Sequence, residues 1–150
     1  MDGAATVLIN APAIEIWNVV SDIRNTGKFS PETFEAEWLD GATGPALGAK
    51  FRGHVKRNEI GPIYWTTCRV TACTPGEEFG FAVLVGGRAV NNWHYKFEPS
   101  GTATKVTESF RTASAPWLKP LEKLYFLRRR RNIRDMTTTL NRIKDYVERS

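Results

Sequence analysis

Glu108 is the side chain in this sequence with the clearest capacity for acid/base work. In the run Thr102 to Thr112 a period of two places it on one face with Val106 and Phe110. A carboxyl enclosed by apolar and aromatic groups loses hydration, so its pKa rises and it can give or take a proton near neutrality. Tyr95 lies in a second run of this kind, Arg88 to Glu98, on one face with Asn91, Trp93 and Phe97. Such a face offers large rings for an apolar body, and a phenol and an amide to anchor a polar group. Glu108 and Tyr95 are therefore the candidate acid/base pair, with Trp93 and Asn91 as candidate ligand contacts. The competing reading is ordinary core for the rings and, for Glu108, a carboxyl that reaches water or an arginine near the open end of a sheet.

The same parity nominates Phe51, Val55, Thr66, Cys68, Val70, Phe79, Phe81 and Val83, with Phe110, as walls of one inward surface. Trp65 has the opposite parity to Cys68 and Val70, so it should face out unless a bulge inverts it. His54 and His94 are also expected outside. Neither has a cysteine, histidine or acid at metal-ligand spacing, so no metal and no cofactor is expected. Ser109 and Ser114 have no recognisable triad partners, and no glycine loop of the phosphate-binding type is present. Cys68 and Cys73, five apart in a strand pattern, point to opposite faces and read as free thiols.

These residues need a sheet to hold them and something to close it. Thr6 to Asn10 is a short β-rich run, followed by Pro12 and helical spacing through Ile16, Trp17 and Val20. Room for a further turn or two of helix remains at Ile23 to Phe29. From Thr33 the period becomes two, and Phe34, Ala36 and Trp38 alternate with Glu35 and Glu37. Lys50 to Asn58, Ile63 to Thr74, Glu78 to Val85, Arg88 to Glu98 and Thr102 to Thr112 complete a meander of short turns. Trp117 to Ser150 then reads as one amphipathic helix, with Ile133, Met136, Leu140, Ile143 and Val147 spaced 3, 4, 3 and 4 along one face. The expected fold is α+β, a seven-stranded curved antiparallel sheet in the order β-α-α-β6-α wrapped around the last helix, as one domain over residues 1–150. The upstream half of that helix, including Leu121 and Tyr125, is expected to roof a cavity. The half from Ile133 to Val147 is expected to anchor it.

The net charge of +5 comes largely from the final helix, where Arg128, Arg129, Arg130 and Arg131 are consecutive. Four neighbours cover the whole circumference, so at least one should approach the sheet. The others suit an acidic protein or an anionic surface, although a solvated face is the simpler reading. Basic residues interleaved with exposed aromatics are missing, so no DNA partner is expected. No apolar run reaches the ~18 residues of a membrane span, and no signal peptide opens the chain, so a cytoplasmic, soluble protein is expected.

Taken together, the segments INAPAIEIWNVVSD (Ile9 to Asp22), GAKFRGH (Gly48 to His54), YWTTCRVTACTPGEEFGF (Tyr64 to Phe81), WHYKFEPSG (Trp93 to Gly101), TKVTESF (Thr104 to Phe110) and MTTTLNRIKDYVE (Met136 to Glu148) resemble the START-related superfamily abbreviated SRPBCC. Within it the chain looks most like the bacterial polyketide cyclase/dehydrase and lipid-transport type. The resemblance implies a helix-grip fold with a deep apolar cavity between the sheet and the long helix. It also implies a small hydrophobic ligand, such as a lipid or polyketide, and leaves open whether that ligand is carried or transformed. The leading expectation is a binding module. The second is a cyclase, aromatase or dehydrase using Glu108 or Tyr95, and the third is a protein-interaction module acting through the basic helix.

Overall fold

The computed structural model describes residues 2–56, 62–112 and 122–149, the side chains of 122–126 excepted. Strand β1 (Asp2–Ile9) leads to helix α1 (Ala13–Ser21), a 3-10 turn (Ile23–Asn25) and the short helix α2 (Thr26–Phe29). Six strands follow: β2 (Thr33–Trp38), β3 (Lys50–Lys56), β4 (Ile63–Thr74), β5 (Glu78–Val85), β6 (Arg88–Ser100) and β7 (Ala103–Thr112). Helix α3 (Glu122–Glu148) comes last. The strands form one antiparallel sheet in the order β1-β7-β6-β5-β4-β3-β2, so the first strand caps the end of the meander. The expected helix-grip arrangement is thus present, and β1 starts four residues earlier than the sequence pattern suggested.

Alternation is cleanest in β3, where Phe51, Gly53 and Val55 are buried while Arg52 and His54 are part-exposed. It breaks in β2. Thr33 pairs with Val55 and Glu35 with His54, so the register shifts across Phe34. This bulge turns Phe34 to the outer face, 45% exposed, with its ring 4.4 Å from His54. Trp65 also lies outside, as its parity requires, stacked on His54 at 4.1 Å with the Arg52 guanidinium 4.1 Å from its centroid. Glu35 meets His54 Nδ1 at 2.7 Å, and Glu37 pairs with Arg52. The outer face therefore satisfies its own charges and rings.

Helix α3 lies mainly along β1, running in the same direction. Arg129 Nε donates to the Asp2 carbonyl at 2.7 Å, Lys144 Nζ to the Leu8 carbonyl at 2.9 Å, and Glu148 Oε1 accepts from the Asn10 amide at 2.9 Å. Close approach near the start of this contact depends on Gly3, whose added Cβ would stand 2.8 Å from the Phe110 ring and 3.1 Å from Ile133. Further along, Ile9, Ile16, Phe97, Val106, Leu140 and Val147 form solid core. Helix α1 is tied over that end by Trp17 Nε1, which donates to the Glu78 carbonyl at 2.8 Å.

On the other side α2 bridges from the far edge of the sheet to α3. The Phe29 ring meets Tyr146 edge-on at 5.4 Å, and Arg142 donates to the Phe29 carbonyl at 3.4 Å. Because α3 follows β1 and the sheet curls away toward β2, the volume between them is left unfilled.

Candidate functional site

That volume is a cavity of about 420 Å³, within the range of roughly 300–1,000 Å³ typical of small-molecule sites. Its sheet wall is built by strand parity from β3 to β7. Phe51 and Val55 come from β3, Thr66 and Cys68 from β4, Phe79, Phe81 and Val83 from β5, Asn91, Trp93 and Tyr95 from β6, and Glu108 from β7. Phe51 and Phe81 meet edge-on at 5.2 Å, and Phe79 and Phe81 are 6.2 Å apart, so the middle of the wall is aromatic. The structure brings these residues, which strand parity nominates in the sequence, onto one wall.

Val70 and Phe110 are the exceptions on the sheet. Both are buried, but neither borders the cavity. Phe110 faces the α3 side of β7, where its ring packs on Trp93 at 5.5 Å and leaves room for Gly3 alone. Leu121 and the Tyr125 side chain lie outside the described residues.

Tyr95 and Glu108 are paired across β6 and β7 and are 8% and 5% exposed. Burial pushes the Glu108 carboxyl up to about 8, and its hydrogen bond with Tyr95 offsets part of that rise. At neutral pH the carboxyl is mostly protonated and can donate a hydrogen bond. Burial, then the charge of Glu108, holds the Tyr95 phenol well above its ordinary range. Glu108 Oε1 is buried with no hydrogen-bond partner among the described residues. Cys68 is pushed up to about 12 by burial, so its thiol acts as a small apolar wall residue. Asn91 accepts from Thr112 Oγ1 at 3.3 Å, which fixes its amide at one end of the cavity.

Among the described residues, the helix wall of the cavity comes from α3 downstream of Leu127. Of the expected roof, Trp117 to Leu127, only the Leu127 side chain is among the described residues, and it is 60% exposed; the described residues of α3 that border the cavity are Arg128, Asn132, Asp135, Met136, Thr139 and Ile143. Four of these six are polar. At 3.6 residues per turn, they centre roughly a quarter-turn from the apolar stripe that grips β1. Periodicity in the apolar residues finds the gripping stripe, and the adjoining polar stripe is indistinguishable in sequence from a solvated face. Asn132 was missed for that reason. It is 6% exposed, and its side chain has no hydrogen-bond partner among the described residues.

The opposite rim comes from the segment around α2, including Val19, Ile23, Thr26, Phe29 and Thr33. Asn25 is fixed there by its own donation to the Val19 carbonyl at 3.1 Å.

His54 and His94 stay outside, His94 meeting Glu78 at 3.0 Å. Among the described residues no group of three His, Cys, Asp or Glu side chains is placed to hold a metal ion. No described helix is long and apolar enough to cross a membrane. The arginine run is split in role, since Arg128 borders the cavity while Arg129 is bound to the Asp2 carbonyl.

Comparison with known proteins agrees with this fold. The family model described as polyketide cyclase/dehydrase and lipid transport matches residues 2–148. The solution structure of the Polyketide_cyc-like protein Cgl2372 from Corynebacterium glutamicum is 28% identical, with a TM-score of 0.67 over 98% of this chain and 91% of that one. The Zhui aromatase/cyclase from Streptomyces sp. R1128 is 22% identical, with a TM-score of 0.70 over 99% and 94%. StfQ, a di-domain ARO/CYC from the steffimycin biosynthetic pathway, is 14% identical, with a TM-score of 0.76 over 99% of this chain and 50% of its own. Similarity at the last two levels shows the fold alone. A comparison with curated proteins finds no match.

Proposed function

From the premise that the chain belongs to the polyketide cyclase/dehydrase and lipid-transport family, we propose that it binds a small, mainly apolar molecule between the sheet and α3. The observation that carries this reading is the cavity itself, about 420 Å³ with an aromatic sheet wall and a buried carboxyl, Glu108, on its surface. Apolar rings supply the binding energy, at roughly 25 cal/mol per Å² removed from water. A protonated Glu108 beside Tyr95 supplies a donor for a carbonyl or hydroxyl oxygen, and leaving such a group unpaired costs about 1–3 kcal/mol. Burial of an oxygen-bearing apolar ligand against this pair therefore favours both partners.

Titration of 2-naphthol while tryptophan emission is recorded tests the reading, because Trp93 borders the cavity and Trp65 lies on the outer face. Saturable quenching that survives Trp65→Phe and disappears in Trp93→Phe is the expected result. Quenching that depends on Trp65, or no binding of 2-naphthol and a fatty-acid panel by native mass spectrometry, would remove the cavity as the site.

A second reading is favoured by the Glu108 carboxyl alone. A group with a pKa of about 8 can protonate or deprotonate a bound carbonyl compound at neutral pH, as a cyclase or dehydrase requires. The cavity would hold a reactive chain in its folded shape, and Glu108 would move the proton. Turnover of a polyketide-like substrate that is abolished by Glu108→Gln, with binding retained, would support it. Turnover unchanged in that variant would exclude Glu108 as the acid/base.

A further inference from the structure

The helix wall of the cavity carries a second set of polar groups, distinct from Tyr95 and Glu108 on the sheet. Arg128, Asn132, Asp135 and Thr139 succeed one another at spacings of 4, 3 and 4 and all border the cavity. Residues at these spacings stand one above the next along a helix, with Cβ atoms about 5–6 Å apart. They form a polar rail opposite an aromatic wall.

The members of the rail differ in what they have left to offer. Asp135 accepts from Arg134 Nε at 3.3 Å, so its charge is partly matched. Thr139 donates its hydroxyl to the Asp135 carbonyl at 2.9 Å, which leaves only acceptor capacity. Asn132 is different. Its side chain is more than nine-tenths buried, borders the cavity and has no partner among the described residues. An amide that faces the cavity with no protein partner among the described residues is available to a ligand group there. Arg128 stands one turn away and is exposed, with no acidic partner among the described residues. The rail is therefore positive at the Arg128 end and negative at the Asp135 end, two turns apart. An anionic substituent would be drawn to Arg128 and repelled from Asp135, which fixes the direction in which a ligand lies.

We propose that Arg128 and Asn132 form a reading edge on α3, and that the ligand is an apolar ring system bearing an anionic group and a neighbouring oxygen along one side. The anion meets the Arg128 guanidinium, the oxygen meets the Asn132 amide, and the opposite ring face lies on Phe51, Phe81 and Trp93. Asn132 is on this view a specificity-determining contact. The inference rests on the cavity being the binding site, and its test separates the two.

The probes are naphthalene, 2-naphthoate, 1-hydroxy-2-naphthoate and the methyl ester of the last, with affinities measured by isothermal titration at pH 7 in wild type, Arg128→Gln and Asn132→Leu. The wild type should bind 1-hydroxy-2-naphthoate roughly fivefold or more tighter than its ester, as expected for a part-exposed ion pair. Arg128→Gln should erase that preference and leave ester affinity unchanged. Asn132→Leu, close in volume, should lower affinity for the hydroxylated acid roughly tenfold while sparing naphthalene and 2-naphthoate. Binding of all four probes with no preference for acid over ester, or an unchanged hydroxyl preference in Asn132→Leu, would overturn the reading edge while leaving the cavity reading intact. Failure of every probe to bind the wild type would overturn both. Thermal melts of the two variants establish that they are folded, and the retained naphthalene affinity serves as an internal control.

Discussion

Glu108 places a cost inside the fold that depends on pH. Its carboxyl titrates at about 8 in the folded protein, against an ordinary value of 4.5. Below about 4.5 the group is protonated in both the folded and the unfolded chain and contributes no difference. Between 4.5 and 8 the folded protein keeps the proton and the unfolded chain releases it, so stability falls as pH rises through that window. For one group the slope approaches about 1.4 kcal/mol per pH unit. Glu108→Gln keeps the shape and removes the titration. Urea melts from pH 5 to 8 should show the variant gaining on the wild type as pH rises, and parallel curves would mean that Glu108 is solvated in the folded protein. The same residue shows what sequence parity can deliver. Its inward direction followed from Val106 and Phe110 on either side. Its unpartnered oxygen and its pairing with Tyr95 depended on strand register, which a single strand does not carry.

At the scale of elements, three contacts leave the cavity hollow: α3 on β1, α2 on β2, and α2 on α3. Gly27 makes the second possible, because a Cβ there would stand 2.1 Å from the Phe34 carbonyl oxygen. Backbone cannot yield as a side-chain tip can, so Gly27→Ala should lift α2 from the sheet and cost roughly 2–3 kcal/mol. A fall in melting temperature of roughly 5–10 °C is expected. Gly44→Ala is the control, since its Cβ would meet nothing within 4 Å, and it should melt as the wild type does. Equal melting of the two variants would show that α2 does not need this approach.

Most elements were legible in the chain because period-two alternation gave β4 and β5 their observed bounds. The bulge at Phe34 was not, since nothing in Thr33–Trp38 distinguishes an inward from an outward Phe until β3 is laid beside it. The polar rail on α3 was hidden for a similar reason. A helix face of Arg, Asn, Asp and Thr is built for water on most proteins, and only the curl of the sheet away from β1 turns it onto a cavity.

The whole molecule divides into a solid end and a hollow end. Ile9, Ile16, Val106, Leu140 and Val147 close the end under α1, and the stability of the grip resides there. The hollow end is walled by aromatic rings from the sheet and polar groups from α3, so the proposed ligand would exchange without disturbing the core that holds the walls in place. This division can be read directly by methyl-labelled NMR during titration with 2-naphthol. Shifts should appear at Val19, Val55, Val83, Met136 and Ile143, which border the cavity, and not at Val70, Val106, Leu140 or Val147, which are buried outside it. Shifts spread evenly over both sets, or confined to exposed methyls such as Leu8 and Ile63, would contradict a ligand site between the sheet and α3.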